Sequence, residues 1–250
     1  MRMCELGLTV TDTWLEDCVH RLREELDDAG LRRFRVHTWL SDEWCSPDQV
    51  PGVGIPFYLA HPRLIRLERH MMFEVEGGTR AECMRLLRHE AGHALQHAYN
   101  LQRRKLWQRA FGKASDPYPD FYRPNPLSKG FVEHLDGWYA QAHPVEDFAE
   151  TFAVWLSPRS NWRKQYASST ALGKLEYIDS LAEDLSDKKP QVSSRARPYS
   201  LPQLRHTLRR HYERRQEHYS PGFSDEYDRD LLKIFSDSAR YRNNETAASF

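Results

Sequence analysis

The stretch from residue 79 to about residue 104 constrains the fold more than any other part of the sequence. Thr79 is followed three residues later by Glu82, which is the capping-box pattern of a helix N-terminus. Apolar residues then recur at helical spacing as far as Ala98. We therefore predict one long helix that packs mostly inside the protein, where polar side chains need partners.

The middle of this helix reads His89-Glu90-Ala91-Gly92-His93. Because positions i and i+4 lie one turn apart on the same helix face, His89 and His93 can reach a single ion. Glu90 lies about 100° around the helix from His89, where it can contact a water at the ion without being a ligand. The spacing predicts a metal site with Zn²⁺ as the ion and Glu90 as the general base that activates water.

A third ligand must come from elsewhere in the chain, and three arrangements compete. A third histidine ten residues after His89 is excluded, because Tyr99 stands at that position and His97 falls two residues too early. A distant histidine is available as His134 or His143. The remaining arrangement takes a glutamate from a later helix.

Residues 144–157 predict such a helix, because the proline at its start suits the first helical turn. Glu146 and Glu150 share one face at i and i+4, where like charges normally destabilise a helix. The pair makes sense if Glu146 binds the metal and Glu150 accepts a hydrogen bond from a liganding histidine. We favour Glu146 as the ligand, keep Glu150 as the alternative, and assign Asp147 to the same acidic cluster at the metal.

The two motifs together resemble the gluzincin zinc peptidases, in the branch that contains the anthrax lethal factor catalytic domain and the Mlc titration factor. The resemblance rests on the motif at 89–93 and on the stretch YAQAHPVEDFAE at 139–150, and it covers residues 79–160. By resemblance, the site consists of the ligands His89, His93 and Glu146, the general base Glu90, the oxyanion-side Tyr139, and Glu150 as hydrogen-bond partner of a ligand.

The resemblance implies a zincin-like domain that hydrolyses peptide bonds in a peptide or protein substrate. In this fold class a strand before the metal helix commonly pairs with extended substrate, and residues 54–59 or 71–76 are the two candidates for it. Residues 115–130 contain four prolines and form neither a helix nor a central strand. This loop could cover the cleft.

The rest of the sequence indicates an α+β, helix-dominated fold with a small mixed sheet. Residues 11–30 predict a helix ended by Gly30. Further strands are predicted over residues 33–40, 54–61 and 62–76, and further helices over residues 169–185, 201–219 and 225–241.

We predict three parts along the chain: a catalytic domain over residues 1–185, a polar linker over 186–200, and a helical C-terminal extension with a disordered tail over 201–250. Five arginines between residues 205 and 215 surround a narrow apolar stripe. A docked amphipathic helix is the simplest interpretation. A patch for nucleic acid within residues 201–219 is the alternative.

Composition narrows the possible functions and the location. The chain has 36 basic and 36 acidic residues and a net charge of +0, unlike proteins that bind nucleic acid through a global field. It shows no secretory signal and no apolar run of the roughly 18 residues that a membrane span needs. Its four scattered cysteines are typical of free thiols in the cytoplasm. The leading hypothesis is a cytoplasmic zinc metallopeptidase, and the alternatives are a DNA-associated HExxH protease and a non-catalytic zinc-bound interaction protein.

Overall fold

A computed structural model of the chain describes residues 1–119, 121–158 and 160–219. The chain divides into two compact units, Met1–Arg205 and His206–Phe250. The predicted helix over 225–241 and the predicted tail lie outside the described residues. No helix in the described part of the chain is long and apolar enough to cross a membrane.

The first unit is built mainly from helices around a very small sheet. Its described residues form seven α-helices: α1 (Trp14–Asp28), α2 (Pro62–Met72), α3 (Arg80–Tyr99), α4 (Lys105–Phe111), α5 (Pro144–Leu156), α6 (Trp162–Gln165) and α7 (Leu172–Leu185). Strands β1 (His37–Ser41) and β2 (Gly52–Pro56) pair in parallel, with His37 opposite Gly52. Isolated antiparallel bridges join Ser41 to Ser200 and Cys45 to Gly54. The predicted α+β, helix-dominated class is confirmed.

The predicted strand over residues 62–76 is wrong, because α2 occupies most of this stretch. His61 caps the helix by accepting a hydrogen bond from the Arg63 amide, and a proline stands in the first turn. Leu64, Leu67 and Met71 recur at helical spacing. Further apolar residues lie between them, so this spacing does not stand out in the sequence. Phe73 then adopts a left-handed conformation and ends the helix.

Neither candidate for a substrate-pairing strand is an open edge along its whole length. Residues 71–76 contain no strand. In the stretch 54–59, β2 ends at Pro56 and a 3-10 helix follows from Phe57 to Ala60. The backbone of Gly54 exchanges both of its hydrogen bonds with Cys45 on the side away from β1.

The core of the first unit is the packing of α3 against α5. The predicted capping box at the start of α3 is present: the Glu82 amide donates to Thr79, and the Thr79 amide donates to Glu82. The helix ends at Tyr99 rather than near residue 104, because Asn100 adopts the left-handed conformation that favours helix termination. On α5 the side chains of residues 148, 149, 152 and 153 are fully buried.

The two backbones approach closely at Gly92 of α3. A Cβ atom at this position would lie 2.9 Å from the Cα atom of Ala149 on α5. A glycine is needed here because there is no room for a side chain between the helices. This contact sets the distance between the histidines of α3 and the acidic residues of α5.

A buried ion pair fixes α3 to α1. The Arg88 guanidinium donates two hydrogen bonds to the Glu25 carboxylate, at 2.7 and 2.8 Å. Both side chains are largely excluded from water. Bidentate geometry of this kind defines orientation as well as distance, so α1 fixes the orientation of α3.

The segment predicted as a linker packs along the first unit. The amides of Gln191 and Val192 donate to the Ala98 carbonyl at the end of α3, at 2.8 and 3.0 Å. The Trp39 indole donates to the Pro198 carbonyl at 3.0 Å. The compact unit therefore continues to Arg205, and the division into catalytic domain, linker and extension stays a prediction.

The described part of the second unit contains one helix, α8 (Leu208–Tyr219). It starts later than the predicted helix over 201–219, because Leu201–Gln203 form a separate 3-10 turn that contains a proline. The arginines at 209, 210 and 214 are exposed on α8. Arg210 pairs with Glu213 within the helix, at 3.4 Å.

Candidate metal centre

Three side chains converge where α3 and α5 face each other. The Nε2 atoms of His89 and His93 lie 3.1 Å apart. The Oε2 atom of Glu146 lies 3.1 Å from the first and 3.2 Å from the second. His89 and Glu146 are buried, while His93 is partly exposed. The three atoms form a nearly equilateral triangle.

The triangle has the chemistry and the size of a zinc site. Tetrahedral ligands at about 2.0–2.2 Å from Zn²⁺ are roughly 3.3–3.6 Å apart, and the observed 3.1–3.2 Å edges fall just below this range. Two imidazoles and one carboxylate are also a familiar catalytic zinc set. If His89 donates its Nδ1 proton to Glu150, its Nε2 carries a lone pair that faces an oxygen of the Glu146 carboxylate. These two electron-rich atoms repel each other, and a cation between them would stabilise the arrangement.

The pKa values of these groups also indicate a need for positive charge. Burial lowers the pKa of His89, but hydrogen bonds with Glu146 and Glu150 outweigh it and raise the pKa to about 10. Burial raises the pKa of Glu146, but the charges and hydrogen bonds of His93 and His89 outweigh it and lower the pKa. Without an ion, Glu146 is therefore ionised and the protonated His89 supplies the positive charge beside it; an ion held at the triangle would take the place of that proton.

Glu150 lies behind His89 rather than in the triangle. Its Oε1 accepts a hydrogen bond from His89 Nδ1 at 2.8 Å, and its Oε2 accepts one from the Leu135 amide at 2.8 Å. The side chain is fully buried. With both oxygens engaged, Glu150 fixes the tautomer and the ring orientation of His89.

Glu90 lies next to the triangle without belonging to it. Its side chain is 8% exposed. Burial raises the pKa of Glu90, while His93 and His89 act in the opposite direction. A carboxylate with a raised pKa beside a metal site is suited to accept a proton from water.

Comparison with known proteins agrees with this chemistry. Residues 81–199 match a family described as "Putative zinc-binding metallo-peptidase". The matched range contains His89, His93 and Glu146, as well as Glu90 and Glu150. The match supports a zinc metallopeptidase. Neither a curated protein nor a solved structure matches the chain.

Tyr139 lies beside the candidate metal centre, on a short 3-10 segment, Asp136–Gln141, just before α5. Its ring centroid lies 5.8 Å from that of His89. Burial raises the pKa of Tyr139, and the Glu146 carboxylate raises it further. The phenol is thus protonated and available as a donor. Gly137 and Trp138 both have positive φ, a tight backbone path that turns Tyr139 inward.

The proline-rich loop over 115–130 lies against the same segment. The Tyr122 hydroxyl donates to the Gly137 carbonyl at 2.9 Å. The Tyr118 ring stacks on His143 with a centroid distance of 4.8 Å, and the Tyr118 hydroxyl lies 2.9 Å from that of Tyr139. Tyr118 was not predicted as a site residue; its position between Pro117 and Pro119, in a loop expected near the cleft, was the available signal.

The competing histidines have other roles. The side chain of His143 accepts a hydrogen bond from the Val145 amide as the N-cap of α5, and its Nε2 lies 2.9 Å from the Asp116 carbonyl. His134 Nε2 lies 3.0 Å from the Arg85 carbonyl. The Nδ1 atom of His97 lies 3.2 Å from a carboxylate oxygen of Asp48.

Asp147 does not belong to the metal cluster, contrary to the prediction from its position. Its Oδ2 lies 2.6 Å from the ammonium of Lys174 on α7. Lys174 Nζ also donates to the Gly130 carbonyl at 2.6 Å. Consecutive residues of a helix point about 100° apart, so Asp147 faces α7 while Glu146 faces the histidines.

Proposed function

We propose that this protein is a zinc metallopeptidase of the gluzincin type, with His89, His93 and Glu146 as the metal ligands and Glu90 as the general base. The triangle of ligand atoms with 3.1–3.2 Å edges is the observation that carries the proposal. Its third vertex is a glutamate from a later helix, which is the feature that separates gluzincins from the three-histidine class.

In this proposal the chain's own residues bind the metal, move the proton and orient the substrate. Zn²⁺ held by His89, His93 and Glu146 would act as a Lewis acid that polarises a carbonyl and makes water more acidic. Glu90 accepts a proton from the attacking water and delivers it to the leaving amine. The raised pKa of Glu90 makes it a stronger base than an exposed glutamate.

The Tyr139 hydroxyl donates a hydrogen bond to the oxyanion that develops when water attacks the carbonyl. The 5.8 Å between its ring and that of His89, and the effect of the Glu146 charge on its pKa, support this role. Donors aimed at developing charge usually account for the largest share of catalysis. Glu150 keeps His89 in the tautomer that presents Nε2 to the metal.

We propose a peptide or protein as the substrate and the cytoplasm as the location. Both His93 and Tyr139 keep part of their surface exposed, which supports access of a chain from their side of the site. Cys4, Cys18, Cys45 and Cys83 are all free thiols, which suits a reducing compartment.

A library of internally quenched peptides, incubated with the zinc-loaded protein, tests the proposal. Glu90→Gln should bind one equivalent of zinc and lose hydrolysis by at least about a hundredfold, within the range expected for a general base. The exposed Glu176→Gln is the matched control and should cleave like the wild type. Full activity of Glu90→Gln would refute the mechanism.

The same assay, together with a DNA gel shift, distinguishes the alternative functions. Stoichiometric zinc without Glu90-dependent cleavage of any peptide would indicate the non-catalytic, zinc-bound interaction protein. Cleavage that requires DNA, together with a salt-dependent gel shift lost on replacing the exposed arginines of α8, would indicate the DNA-associated protease. Arg210 is already paired with Glu213 within α8, and this pairing does not favour the DNA-associated protease.

A further inference from the structure

The structure brings a second tyrosine hydroxyl to the candidate metal centre. Tyr118, from the proline-rich loop, and Tyr139, from the segment before α5, have hydroxyl oxygens 2.9 Å apart. Tyr118 is 51% exposed; partial burial nevertheless raises its pKa to about 12, and the neighbouring Glu146 carboxylate contributes in the same direction. Tyr118 therefore lies beside both Tyr139 and a proposed metal ligand.

We propose that Tyr118 is a positioning residue: it holds the Tyr139 hydroxyl at the metal centre, so that this hydroxyl is oriented before the substrate oxygen becomes charged. The inference rests on the proposed function, because it assigns Tyr118 a role in the same hydrolysis. It adds a residue from the proline-rich loop, which lies outside the two motifs that define the site.

The loop is attached firmly enough for Tyr118 to hold another group in place. Pro117 and Pro119 restrict the backbone on either side of Tyr118. The Tyr118 ring stacks on His143, with an interplanar angle of 21°. His143 Nε2 donates to the Asp116 carbonyl at 2.9 Å, which ties the loop to the first turn of α5.

Hydroxyl hydrogens rotate to suit their partners, and this explains how the pair can serve a substrate. In the free protein one phenol donates to the other across the 2.9 Å distance. When a substrate oxygen arrives, the Tyr139 proton turns towards it and Tyr118 donates to the Tyr139 oxygen. A hydroxyl that accepts one hydrogen bond is polarised into a better donor, so Tyr118 acts through Tyr139.

Kinetics of Tyr118→Phe on a cleaved peptide test the role. Phenylalanine keeps the ring that stacks on His143 and removes only the hydroxyl. We expect kcat to fall about three- to tenfold, the range for loss of one hydrogen bond, with KM changed less than twofold. Zinc affinity measured by chelator competition should stay within twofold of the wild type.

A double-mutant cycle distinguishes positioning from general support of the loop. Tyr139→Phe alone should lower kcat by up to about a hundredfold, as loss of an oxyanion donor does. Because Tyr118 acts through Tyr139, adding Tyr118→Phe to Tyr139→Phe should have little further effect. The control Tyr122→Phe removes a loop anchor on the Gly137 carbonyl, and its effect should be equal in both backgrounds.

A readout that does not depend on activity is the NMR spectrum of protein labelled at the tyrosine Cζ atoms. Tyr118→Phe should shift the Tyr139 resonance, which Tyr139→Phe assigns by its disappearance. An unchanged Tyr139 resonance, or equal losses of kcat from Tyr118→Phe with and without the Tyr139 hydroxyl, overturns the inference while Glu90-dependent cleavage stands. Absence of any Glu90-dependent cleavage overturns the proposed function instead, and the inference with it.

Discussion

Gly92 offers the most direct test of how the packing of α3 on α5 creates the candidate metal centre. In Gly92→Ala the new Cβ atom would lie 2.9 Å from the Cα atom of Ala149, 3.2 Å from Cδ1 of Phe152 and 3.3 Å from the Ala149 carbonyl oxygen. Carbon atoms pack best at about 3.5–4.0 Å. Because the nearest obstacle is backbone, the two helices must separate by about 0.6 Å or more.

This separation should affect the metal site more than the fold. Overpacking costs about 1–3 kcal/mol, and replacing glycine by alanine within a helix returns about 1 kcal/mol. The free energy of unfolding should therefore fall by only about 0–2 kcal/mol. The distances from Glu146 to the two histidines, however, would grow from 3.1–3.2 Å by an amount larger than the roughly 0.2 Å tolerance of metal–ligand bonds.

We expect zinc affinity of Gly92→Ala to fall about 10–100-fold, as it does when the partners of a metal ligand are disturbed. Competition with a chromophoric chelator measures the affinity, and urea unfolding of the metal-free protein measures stability. Gly173→Ala is the matched control, because nothing lies within 4 Å of a Cβ atom at this exposed position of α7. If Gly92→Ala bound zinc within twofold of the wild type, the geometric reasoning would be refuted.

Further substitutions distinguish a metal ligand, a residue that orients a ligand and a residue that stabilises the fold. Glu146→Ala should remove stoichiometric zinc measured by atomic absorption, while His143→Ala should retain it; the reverse result would move the protein to the distant-histidine class. Glu150→Gln can satisfy only one of the two donors that face Glu150, so chelator competition should show a 10–100-fold weaker site rather than an absent one. Arg88→Leu leaves the buried Glu25 carboxylate with only the single hydrogen bond from the largely exposed Arg21, at 3.2 Å, and should cost up to about 3–5 kcal/mol in urea unfolding. An equal loss of stability in the double variant Glu25→Leu/Arg88→Leu would contradict that explanation, because this variant buries no unpaired charge.

The long metal helix and the acidic helix were predictable because their signals are local. The capping box at Thr79 and Glu82, the spacing of the histidines and the proline at the start of α5 each involve residues within a few turns. Helical geometry is nearly constant, so the spacing of His89 and His93 is enough to place both on one face. The helix-dominated α+β class follows from the same local patterns.

Residues 62–76 show where local reasoning failed. A stretch dense in apolar and long charged side chains fits both a strand and a helix, and burial, which could have decided between them, is not visible in a sequence. The structure makes most of it a helix on which only Glu68 is buried. Residues 71–76 therefore do not form the substrate-pairing strand that was predicted there.

Which acidic residue meets the histidines was decided by tertiary structure. Glu146 and Glu150 share a face of α5, so their spacing cannot choose between them. The close contact of Gly92 with Ala149 sets where α5 crosses α3, and it brings Glu146 to both Nε2 atoms while Glu150 reaches Nδ1 of His89. Asp147, one residue on, turns to Lys174 instead.

The sequence by itself thus determined the two helices and the set of side chains able to hold a metal, because both depend on contacts within one helix. The pairing of Tyr118 with Tyr139 required the fold, since the loop and the segment before α5 meet only through stacking and hydrogen bonds between residues far apart along the chain. Contacts of that kind depend on how elements cross, which no local period encodes.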